Sequence, residues 1–434
     1  MSRFFIKVFV PGPFFEPLTY SSDKPIEAGL RVKAPLGSRE IVGISAGEAS
    51  EPQDLSTIKS ILEVLDDAPV IDPSHHALIR FASDYYLAPA GDLLLSSLPT
   101  AIRKGKPFPL AKTEQGQSQP PHYPLTDEQQ HAIDCVNQAS GDFQCFLLQG
   151  VTGSGKTQVF SELIRKTLER GKQVLLLVPE IGLTGQMVTR IQQQLTGTLA
   201  VSHSGLADGA RAKAFVAASQ GTADVLIGTR SALFTPMPNL GLILVDEEHD
   251  GAYKNQEGCR YSARDLAIVR AQQMRIPVVL SSATPSLESW HQAELGKYIR
   301  LRLSSRPGQQ PSPTIRLIDA RHDKPKDGLS DASRRAIRDA IDRQQQALVF
   351  LNRRGYSPVL MCADCGWIPG CRHCDAKPTL HRHPNVLWCH HCDHRQQSIT
   401  VCPECSGLNL LAVGLGTERL EEALATAFPD TPVI

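Results

Sequence analysis

The sequence has no excess of charge of either sign, because lysine plus arginine and aspartate plus glutamate each number 45 among 434 residues. The overall basic balance that would indicate nucleic acid is therefore absent, and any DNA-binding surface must be local. The sequence also lacks an apolar run near the roughly 20 residues that a membrane span needs. The apolar run before Pro11 is too short for a signal peptide. We therefore expect a cytoplasmic protein with no membrane partner.

Eleven cysteines in such a compartment indicate metal or redox chemistry rather than structural disulfides. Eight of them form four C-x-x-C pairs, which predict two structural Zn²⁺ sites of four thiolates each. The eight are Cys362, Cys365, Cys371, Cys374, Cys389, Cys392, Cys402 and Cys405. Their spacing leaves open which pair joins which. Six nearby histidines could be rival ligands, although four complete pairs leave no ligand position to fill: His373, His381, His383, His390, His391 and His394. Cys135, Cys145 and Cys259 are predicted to be ordinary core or surface thiols.

A phosphate-binding loop of the form G-x-x-x-x-G-K-[ST] follows the apolar strand predicted at residues 145–149, and helical spacing follows the loop. Its residues are Gly150, Val151, Thr152, Gly153, Ser154, Gly155, Lys156 and Thr157. Glycines let backbone N–H groups approach a phosphate, and the helix N-terminus adds positive potential. Lys156 is predicted to reach the β and γ phosphates of ATP, and Thr157 to hold Mg²⁺. The alternative is a glycine-rich turn that matches by chance.

Acidic residues end the apolar strand predicted at residues 242–245. Asp246 is predicted to bind Mg²⁺ through water, and Glu247 to orient or deprotonate the attacking water. Alone, the pattern also fits a strand that ends in solvated acids, but beside the phosphate loop it favours an ATPase. Gln129, in the capping segment that begins at Leu125, could contact the edge of adenine.

Strands and helices alternate over residues 125–305, which predicts a doubly wound, mostly parallel α/β sheet. Residues 1–105 are predicted to form a small β-rich domain that includes a helix at 75–87, and residues 106–124 a proline-rich linker. A second α/β pattern covers 306–361 and 406–434, and the cysteines occupy 362–405 between its parts. It includes a predicted helix at 332–343 and a predicted strand at 347–351.

Polar clusters end the other predicted strands of the 125–305 sheet, at 179–184, 203–205, 228–234 and 281–285. Each is weak alone and fits polar loop caps, but together they line the sheet edge where ligands bind. After the acidic motif, the segment from Tyr253 and Lys254 to Tyr261 mixes aromatic and basic residues. Such residues can stack on bases and contact phosphates, although a solvated loop is an equal alternative.

Taken together, these motifs resemble the PriA family of replication-restart primosomal DNA helicases, a family of superfamily 2. The resemblance rests on GVTGSGKT, VPEIGLT, GTRSALFTP, VDEEHD, SSATPS and FLNRRGYSP, on the eight-cysteine run and on VGLGTERLEEAL. It implies a P-loop RecA-like helicase lobe, a second lobe with a two-zinc insertion, ATP hydrolysis and 3′-to-5′ movement on DNA. It also implies a role in the bacterial nucleoid, where such proteins bind stalled forks and D-loops to reload the replicative helicase. Single-stranded DNA, single-stranded DNA-binding protein and other primosome proteins are the partners that the family implies.

The resemblance also implies roles for single residues. Lys156, Thr157, Asp246 and Glu247 would be ATPase residues, and the loop from Tyr253 to Tyr261 would couple DNA to hydrolysis. The family's nested pairing puts Cys362, Cys365, Cys402 and Cys405 on one zinc, and Cys371, Cys374, Cys389 and Cys392 on the other. Gly37 and Lys59 fall at positions of a pocket for the 3′ end of a nascent strand. At the same pocket, this sequence has Leu18-Thr19 where the family usually has an aromatic residue followed by an acid.

Two departures from the family pattern change the expectation for activity. The 106–124 linker stands where a winged-helix domain is usual, and the late motor motifs, including the arginine finger, are missing. Because such a finger supplies much of the rate, we expect this chain to bind ATP, hydrolyse it poorly and not unwind DNA. One alternative is a non-enzymatic fork-binding zinc module with a nucleotide-gated lobe. A transporter or kinase with a zinc ribbon is disfavoured by GTRSALFTP and SSATPS.

Overall fold

The computed structural model divides into two compact units, Met1–Pro311 and Ser312–Ile434. The residues that it describes are 3–111, 113–115, 124–179, 188–189, 192–193, 197–304, 314–319, 323, 326, 328–350, 359–374, 376–381, 386–389, 391–413 and 417–433. Three features named from the sequence therefore lie partly or mostly outside them: the polar cluster at 179–184, the motif FLNRRGYSP at 350–358 and the start of VGLGTERLEEAL at 413–424.

The first unit begins with an antiparallel sheet of five strands in the order β2-β1-β4-β3-β5. The strands are β1 (Phe4–Phe9), β2 (Leu18–Ser22), β3 (Arg31–Leu36), β4 (Arg39–Glu48) and β5 (Glu63–Val64). The backbone N–H of Ser21 donates to Lys59, and that of Ile61 donates to Ser21, both at 2.9 Å. Leu62 donates in turn to Lys33 at 2.9 Å. Residues 59–62 therefore join β2 to β3 and close the sheet on itself.

Three helices follow this sheet: α1 (Pro73–Tyr86), α2 (Ala90–Ser97) and α3 (Thr100–Arg103). The Asp72 carboxylate caps α1 by accepting from the backbone N–H of His75 at 2.9 Å. Leu87 ends α1 in the left-handed region, with φ of 50°. The prediction of a helix over 75–87 is therefore confirmed, except that Leu87 caps it. α2 lies so close to the first strand that a Cβ at Gly91 would come within 2.0 Å of the Val10 carbonyl oxygen.

The central sheet has eight strands in the order β13-β7-β12-β11-β8-β10-β9-β6. They are β6 (Glu114–Gln115), β7 (Cys145–Gly150), β8 (Gln173–Leu177), β9 (Thr198–Ser202), β10 (Val225–Gly228), β11 (Leu240–Val245), β12 (Val278–Ser282) and β13 (Ile299–Leu303). Seven are parallel, whereas β6 pairs antiparallel with β9 at the edge. The predicted parallel sheet is thus confirmed. The edge strand β6, inside the predicted linker, was not foreseen.

Helices cover both faces of this sheet: α4 (Asp127–Gln138), α5 (Lys156–Glu169), α6 (Asp208–Ser219), α7 (Ala263–Met274) and α8 (Leu287–Glu294). Strand side chains alternate between two apolar clusters, as the period of a strand requires. In β7, Phe146 and Leu148 face the cluster of α4 and α5, whereas Cys145 and Leu147 face the cluster that contains α6 and α7. Because both faces are buried, the strands are nearly continuous apolar runs.

The N-terminal helices pack on the central sheet's helical layer within the same unit, and they share its apolar cluster. The ring of His75 in α1 stacks on Phe234, with centroids 6.5 Å apart. Arg270 of α7, 4% exposed, donates to the carbonyls of Leu233 and Thr235 beside it. The predicted boundary at residue 105 stays a prediction, since both parts belong to one unit.

The second unit contains a small sheet in which β14 (Val359–Cys362) pairs antiparallel with β18 (Leu410–Val413). A second sheet joins β15 (Thr379–His381), β16 (Val386–Trp388) and β17 (Arg395–Gln397). The described residues of the second unit also form the helices α9 (Asp331–Asp342) and α10 (Thr417–Ala427). The predicted helix at 332–343 is confirmed. The predicted strand at 347–351 is wrong over 347–350: those residues pair with no described strand, and Leu348 and Phe350 are 94% and 80% exposed.

Candidate nucleotide, DNA and zinc sites

The predicted phosphate loop turns from β7 into α5, whose first residue is Lys156. Gly153 and Gly155 have φ of 83° and 85°, in the region that favours glycine. A Cβ at Gly155 would also come within 2.2 Å of the Gln129 side-chain nitrogen. The Ser154 hydroxyl in this loop is buried and has no hydrogen-bond partner. The loop therefore has glycines in the left-handed region, a helix N-terminus and an unpaired polar atom, and these features fit a bound phosphate group.

Lys156 and the acidic motif meet at the carboxyl edge of the sheet. Lys156 Nζ donates to the Gly150 carbonyl at 2.9 Å and lies 3.8 Å from Glu247 Oε1. Asp246 follows β11 and accepts from the Ser281 hydroxyl at 3.2 Å. Burial raises the pKa of Asp246 above its usual value, and the neighbouring Glu247 carboxylate raises it further. A cation bound beside Asp246 would relieve both effects, so this donor set fits Mg²⁺.

Glu247 has φ of 43°, which is uncommon for a residue with a side chain. One of its carboxylate oxygens lies 3.5 Å from His249 Nδ1. The same ring nitrogen lies 2.8 Å from the hydroxyl of Ser282, and Nε2 lies 3.5 Å from that of Thr284. His249 therefore joins the acidic motif to the polar cluster after β12.

Glu248, which the sequence did not single out, is 2% exposed and accepts from four donors, which belong to α7, to α8 and to Ser286 at the N-cap of α8. Its carboxylate accepts from the Ser286 backbone at 2.7 Å, from the Ser289 hydroxyl at 2.8 Å and from Arg264 at 3.2 Å. The fourth donor is the Ser286 hydroxyl at 3.0 Å. Because these partners lie 16 to 41 residues away in the chain, no local pattern could have identified the site.

Gln129 lies beside the phosphate loop and is fully buried. Its amide nitrogen donates to the Ser154 carbonyl at 3.0 Å, and its oxygen accepts from the Thr126 N–H at 3.0 Å. Both ends of the amide are thus used within the protein. The predicted contact with adenine stays a prediction.

The predicted DNA-binding loop follows the acidic motif. Tyr253 and Tyr261 are 3% and 7% exposed, so neither ring face is open to a base in this structure. The Tyr253 hydroxyl lies 2.6 Å from the carbonyl oxygen of Asp246, and the Tyr261 ring packs edge-on against Phe234. Lys254 is exposed, with Nζ 5.2 Å from the centroid of the Tyr86 ring. DNA contacts by these three residues stay a prediction.

Two of the three predicted 3′-end pocket residues are in contact. Lys59 Nζ donates to the Gly37 carbonyl at 2.9 Å. Gly37 turns from β3 into β4 with φ of 62°, and a Cβ there would meet nothing within 4 Å. Thr19 lies opposite Lys7 in the sheet, two residues before the Ser21 that pairs with Lys59. The three residues therefore lie at neighbouring strands of one small sheet, whereas their contact with DNA stays a prediction.

The eight paired cysteines form two groups of four, each with its Sγ atoms within 4.8 Å of one another. Cys362, Cys365, Cys402 and Cys405 form one group, and Cys371, Cys374, Cys389 and Cys392 form the other. This nested pairing is the one that the resemblance implied. Neither group includes a histidine among the described residues.

The thiol geometry fits zinc. The shortest Sγ–Sγ distances are 3.5 and 3.6 Å in the first group and 3.5 Å in the second, against about 3.8 Å between thiolates on a tetrahedral zinc. The backbone N–H of Cys392 lowers the pKa of Cys389 to about 6, whereas burial and its thiol neighbours raise the pKa of Cys374 to about 12, so the thiols of this group differ in their tendency to ionise. In three of the four C-x-x-C pairs, the backbone carbonyl of the first cysteine accepts from the N–H of the residue four positions later. These later residues have positive φ angles, which turn the chain after the pair: Gly366, Asp393 and Ser406.

Three family models match this chain. A PriA 3′ DNA-binding domain matches residues 7–99, a DEAD/DEAH box helicase matches 126–293, and the Cys-rich region of PriA DNA helicase matches 371–397. The replication restart protein PriA of Haemophilus influenzae is 35% identical, over 99% of this chain and 69% of the relative. The chain belongs to the PriA family.

Other PriA relatives cover different shares of the chain. The protein of Bacillus subtilis is 42% identical over 72% of this chain and 39% of the relative. That of Rickettsia felis is 34% identical over 98% of this chain and 66% of the relative. The chain thus spans roughly two thirds or less of these PriA proteins. The Haemophilus alignment covers 505 residues, more than the 434 of this chain, so it contains residues without a counterpart here. That the linker at 106–124 replaces these residues stays a prediction.

Among the described residues, no helix combines the length and the apolar character that crossing a membrane requires.

Proposed function

We propose that this chain has the function of an ATP-dependent 3′-to-5′ DNA helicase of replication restart, in a form that binds ATP, zinc and DNA but is impaired in unwinding. It would bind stalled forks and D-loops, in the cytoplasm at the bacterial nucleoid, and help to reload the replicative helicase. One observation carries the proposal. Lys156, Asp246 and Glu247 converge at one sheet edge, in a compact unit that also contains a segment matching the PriA 3′ DNA-binding domain.

Under this proposal, each residue of this edge has its own role. Backbone N–H groups of the phosphate loop and Lys156 Nζ would hold the β and γ phosphates. A bound Mg²⁺ ion would neutralise phosphate charge, with Asp246 and the Thr157 hydroxyl as the groups that hold it. Glu247, whose side chain is 38% exposed, would orient the attacking water and take its proton. Its contact with His249 would hold the carboxylate in place.

DNA would reach the first unit at two places. Gly37, Lys59 and Thr19 would receive the 3′ end of a strand, because the open turn at Gly37 leaves space beside the Lys59 ammonium group. Lys254 would contact the phosphates of single-stranded DNA near the acidic motif. Single-stranded DNA-binding protein and other primosome proteins would be its protein partners, by analogy with the family alone.

Two zinc ions would have a structural role. Four thiolates fill the tetrahedral coordination of zinc and leave no position for a substrate. One group joins the two ends of the 362–405 segment, and the other joins two cysteine pairs inside it. Zinc would therefore stabilise a segment whose described apolar core includes only three buried residues, Leu360, Leu380 and Leu387.

ATP turnover by the purified chain, with and without forked DNA that ends in a free 3′ hydroxyl, tests the proposal. We expect turnover to be low and DNA to raise it only weakly, and Lys156→Ala to abolish it while fork binding is kept. Lys166→Ala is the matched control, because Lys166 lies on the same helix and contacts Asp134 rather than the acidic motif. Strong stimulation of turnover by DNA would show that the expectation of poor hydrolysis is wrong. Fork and nucleotide binding without any turnover would instead favour the non-enzymatic fork-binding module.

A further inference from the structure

Tyr86, the last residue of α1 in the N-terminal part, contacts both ends of the loop 254–262. Its hydroxyl accepts from the backbone N–H of Ser262 at 3.1 Å. Its ring lies under the ammonium group of Lys254 at 5.2 Å, a cation–π distance. Lys254 and Ser262 face each other as an antiparallel bridge. Tyr86 therefore holds the loop where its two ends meet.

One route leads from this loop to the proposed Mg²⁺ ligand. Tyr253 immediately precedes Lys254, and its buried hydroxyl lies 2.6 Å from the Asp246 carbonyl and 3.1 Å from that of Leu177 in β8. A shift of Lys254 would therefore pull on a side chain that is hydrogen-bonded to the backbone of the acidic motif.

A second route leads through the start of α7. The Ser262 side chain caps this helix by accepting from the Asp265 N–H. Arg264, in the first turn, donates to the carboxylate of Glu248 at 3.2 Å and to the Ser286 hydroxyl at 2.7 Å. Ser262 is thus tied to the acidic motif through one turn of helix and one buried ion pair.

We infer that Tyr86 is a positioning residue through which DNA held by the N-terminal part sets nucleotide binding and hydrolysis at the acidic motif. This inference rests on the proposed function and deepens it, because it names the contact that carries the regulation. Tyr86 touches neither nucleotide nor the acidic side chains, and it acts through the two ends of the 254–262 loop.

Hydrogen exchange of the loop tests the contact itself. Tyr86→Phe keeps the ring over Lys254 and removes the acceptor for the Ser262 N–H, whereas Tyr86→Ala removes both contacts. We expect faster exchange in the peptide that contains 254–262 for the first variant and faster still for the second. Phe81→Ala is the control, since Phe81 lies on the same helix and stacks on Tyr85. Exchange that is unchanged in both Tyr86 variants would overturn the inference.

The coupling between DNA and nucleotide is the second readout, and it requires no hydrolysis. The affinity for a fluorescent ATP analogue with Mg²⁺ is measured with and without single-stranded DNA that has a free 3′ end. We expect DNA to change the affinity of the unsubstituted chain by about fivefold or more, and Tyr86→Ala to bring that ratio close to one. The ATP analogue alone and the DNA alone should each bind the unsubstituted chain and Tyr86→Ala equally well. Phe81→Ala should keep the change in affinity that DNA causes in the unsubstituted chain.

The two readouts separate the inference from the proposed function. Intact binding of both ligands with no coupling, or with equal coupling in Tyr86→Ala, would overturn the inference alone. Failure of the unsubstituted chain to bind the ATP analogue or the DNA would contradict the proposed function, and the regulation inferred here would fall with it.

Discussion

Nζ of Lys156 lies 3.8 Å from Oε1 of Glu247, although β12 separates the strands that carry them, β7 and β11. The lysine begins α5, and the glutamate lies in the strained turn after β11. A triphosphate held by the loop would bring its terminal phosphate to this gap. The pair therefore marks the place where we expect the water to attack.

Glu247→Gln should remove ATP turnover and keep ATP binding. The amide preserves the shape of the side chain but takes no proton from water, so turnover should fall by about 10²-fold or more relative to the unsubstituted chain. Affinity for ATP with Mg²⁺, measured by calorimetry, should change by less than about threefold, since Lys156 and the loop are intact. A variant that hydrolyses ATP at the original rate would show that another group activates the water.

Glu248→Gln should destabilise the first unit strongly. The carboxylate side chain is 0% exposed and pairs with Arg264, so its loss leaves a poorly paired guanidinium beside the Ser286 and Ser289 hydroxyls. We expect a loss of about 3 kcal/mol in the free energy of unfolding.

Asp265→Asn is the matched control for Glu248→Gln. Asp265 also pairs with Arg264, but its side chain is 49% exposed, and such pairs contribute about 1 kcal/mol or less. Denaturant unfolding of the two variants compares them directly. Equal losses would show that the burial of Glu248 contributes nothing.

The central sheet and phosphate loop were predictable because both depend on local patterns. Buried parallel strands are apolar runs, and a loop that must admit a phosphate needs glycines at fixed positions. The nested cysteine pairing followed only from the family resemblance, because spacing leaves several pairings possible. The burial of Tyr253 and the four donors to Glu248 depend on chain segments that are far apart in sequence. Only the folded chain shows them.

Two strand assignments could not be made from the sequence, because a strand depends on its pairing partner. The strand predicted at 347–351 has the apolar residues of a strand, but a strand needs a neighbour, and the described residues offer none there. Glu114–Gln115, in contrast, has polar residues and joins the sheet as an edge strand beside β9. Pairing partners, rather than composition, decided both cases.

Unfolding of the first unit should become easier as the pH falls from about 6.5 towards 3, in part because of His75. Burial lowers the pKa of His75 from 6.5 to about 3, and repulsion by Arg270 adds to this. Between those values the unfolded chain binds a proton that the folded chain does not. Stability therefore falls by about 1.4 kcal/mol per pH unit from this residue, and the effect vanishes above pH 6.5.

His75→Phe should flatten this pH dependence and keep the contact with the Phe234 ring. It should also stabilise the protein at pH 7 by about 1 kcal/mol, because both ring nitrogens of His75 are buried without partners. Thermal unfolding from pH 4.5 to 7.5 measures both effects, with the exposed His291→Gln as the control. An unchanged slope in His75→Phe would mean that His75 takes up its proton equally well in the folded and the unfolded protein.

Removal of one cysteine from either group should release one zinc ion and leave the other. The two groups share no ligand, so Cys389→Ser should lower the zinc content from about two ions to about one per chain. Cys402→Ser should do the same through the other group. Cys135→Ser is the control, because Cys135 belongs to neither group and contacts His131 on the same helix. Metal analysis by mass spectrometry gives the stoichiometry, and loss of both ions from either variant would show that the two sites fold as one. Since structural zinc is bound only by the folded segment, chelation of the remaining ion should then unfold residues around 359–413, detected as faster hydrogen exchange there.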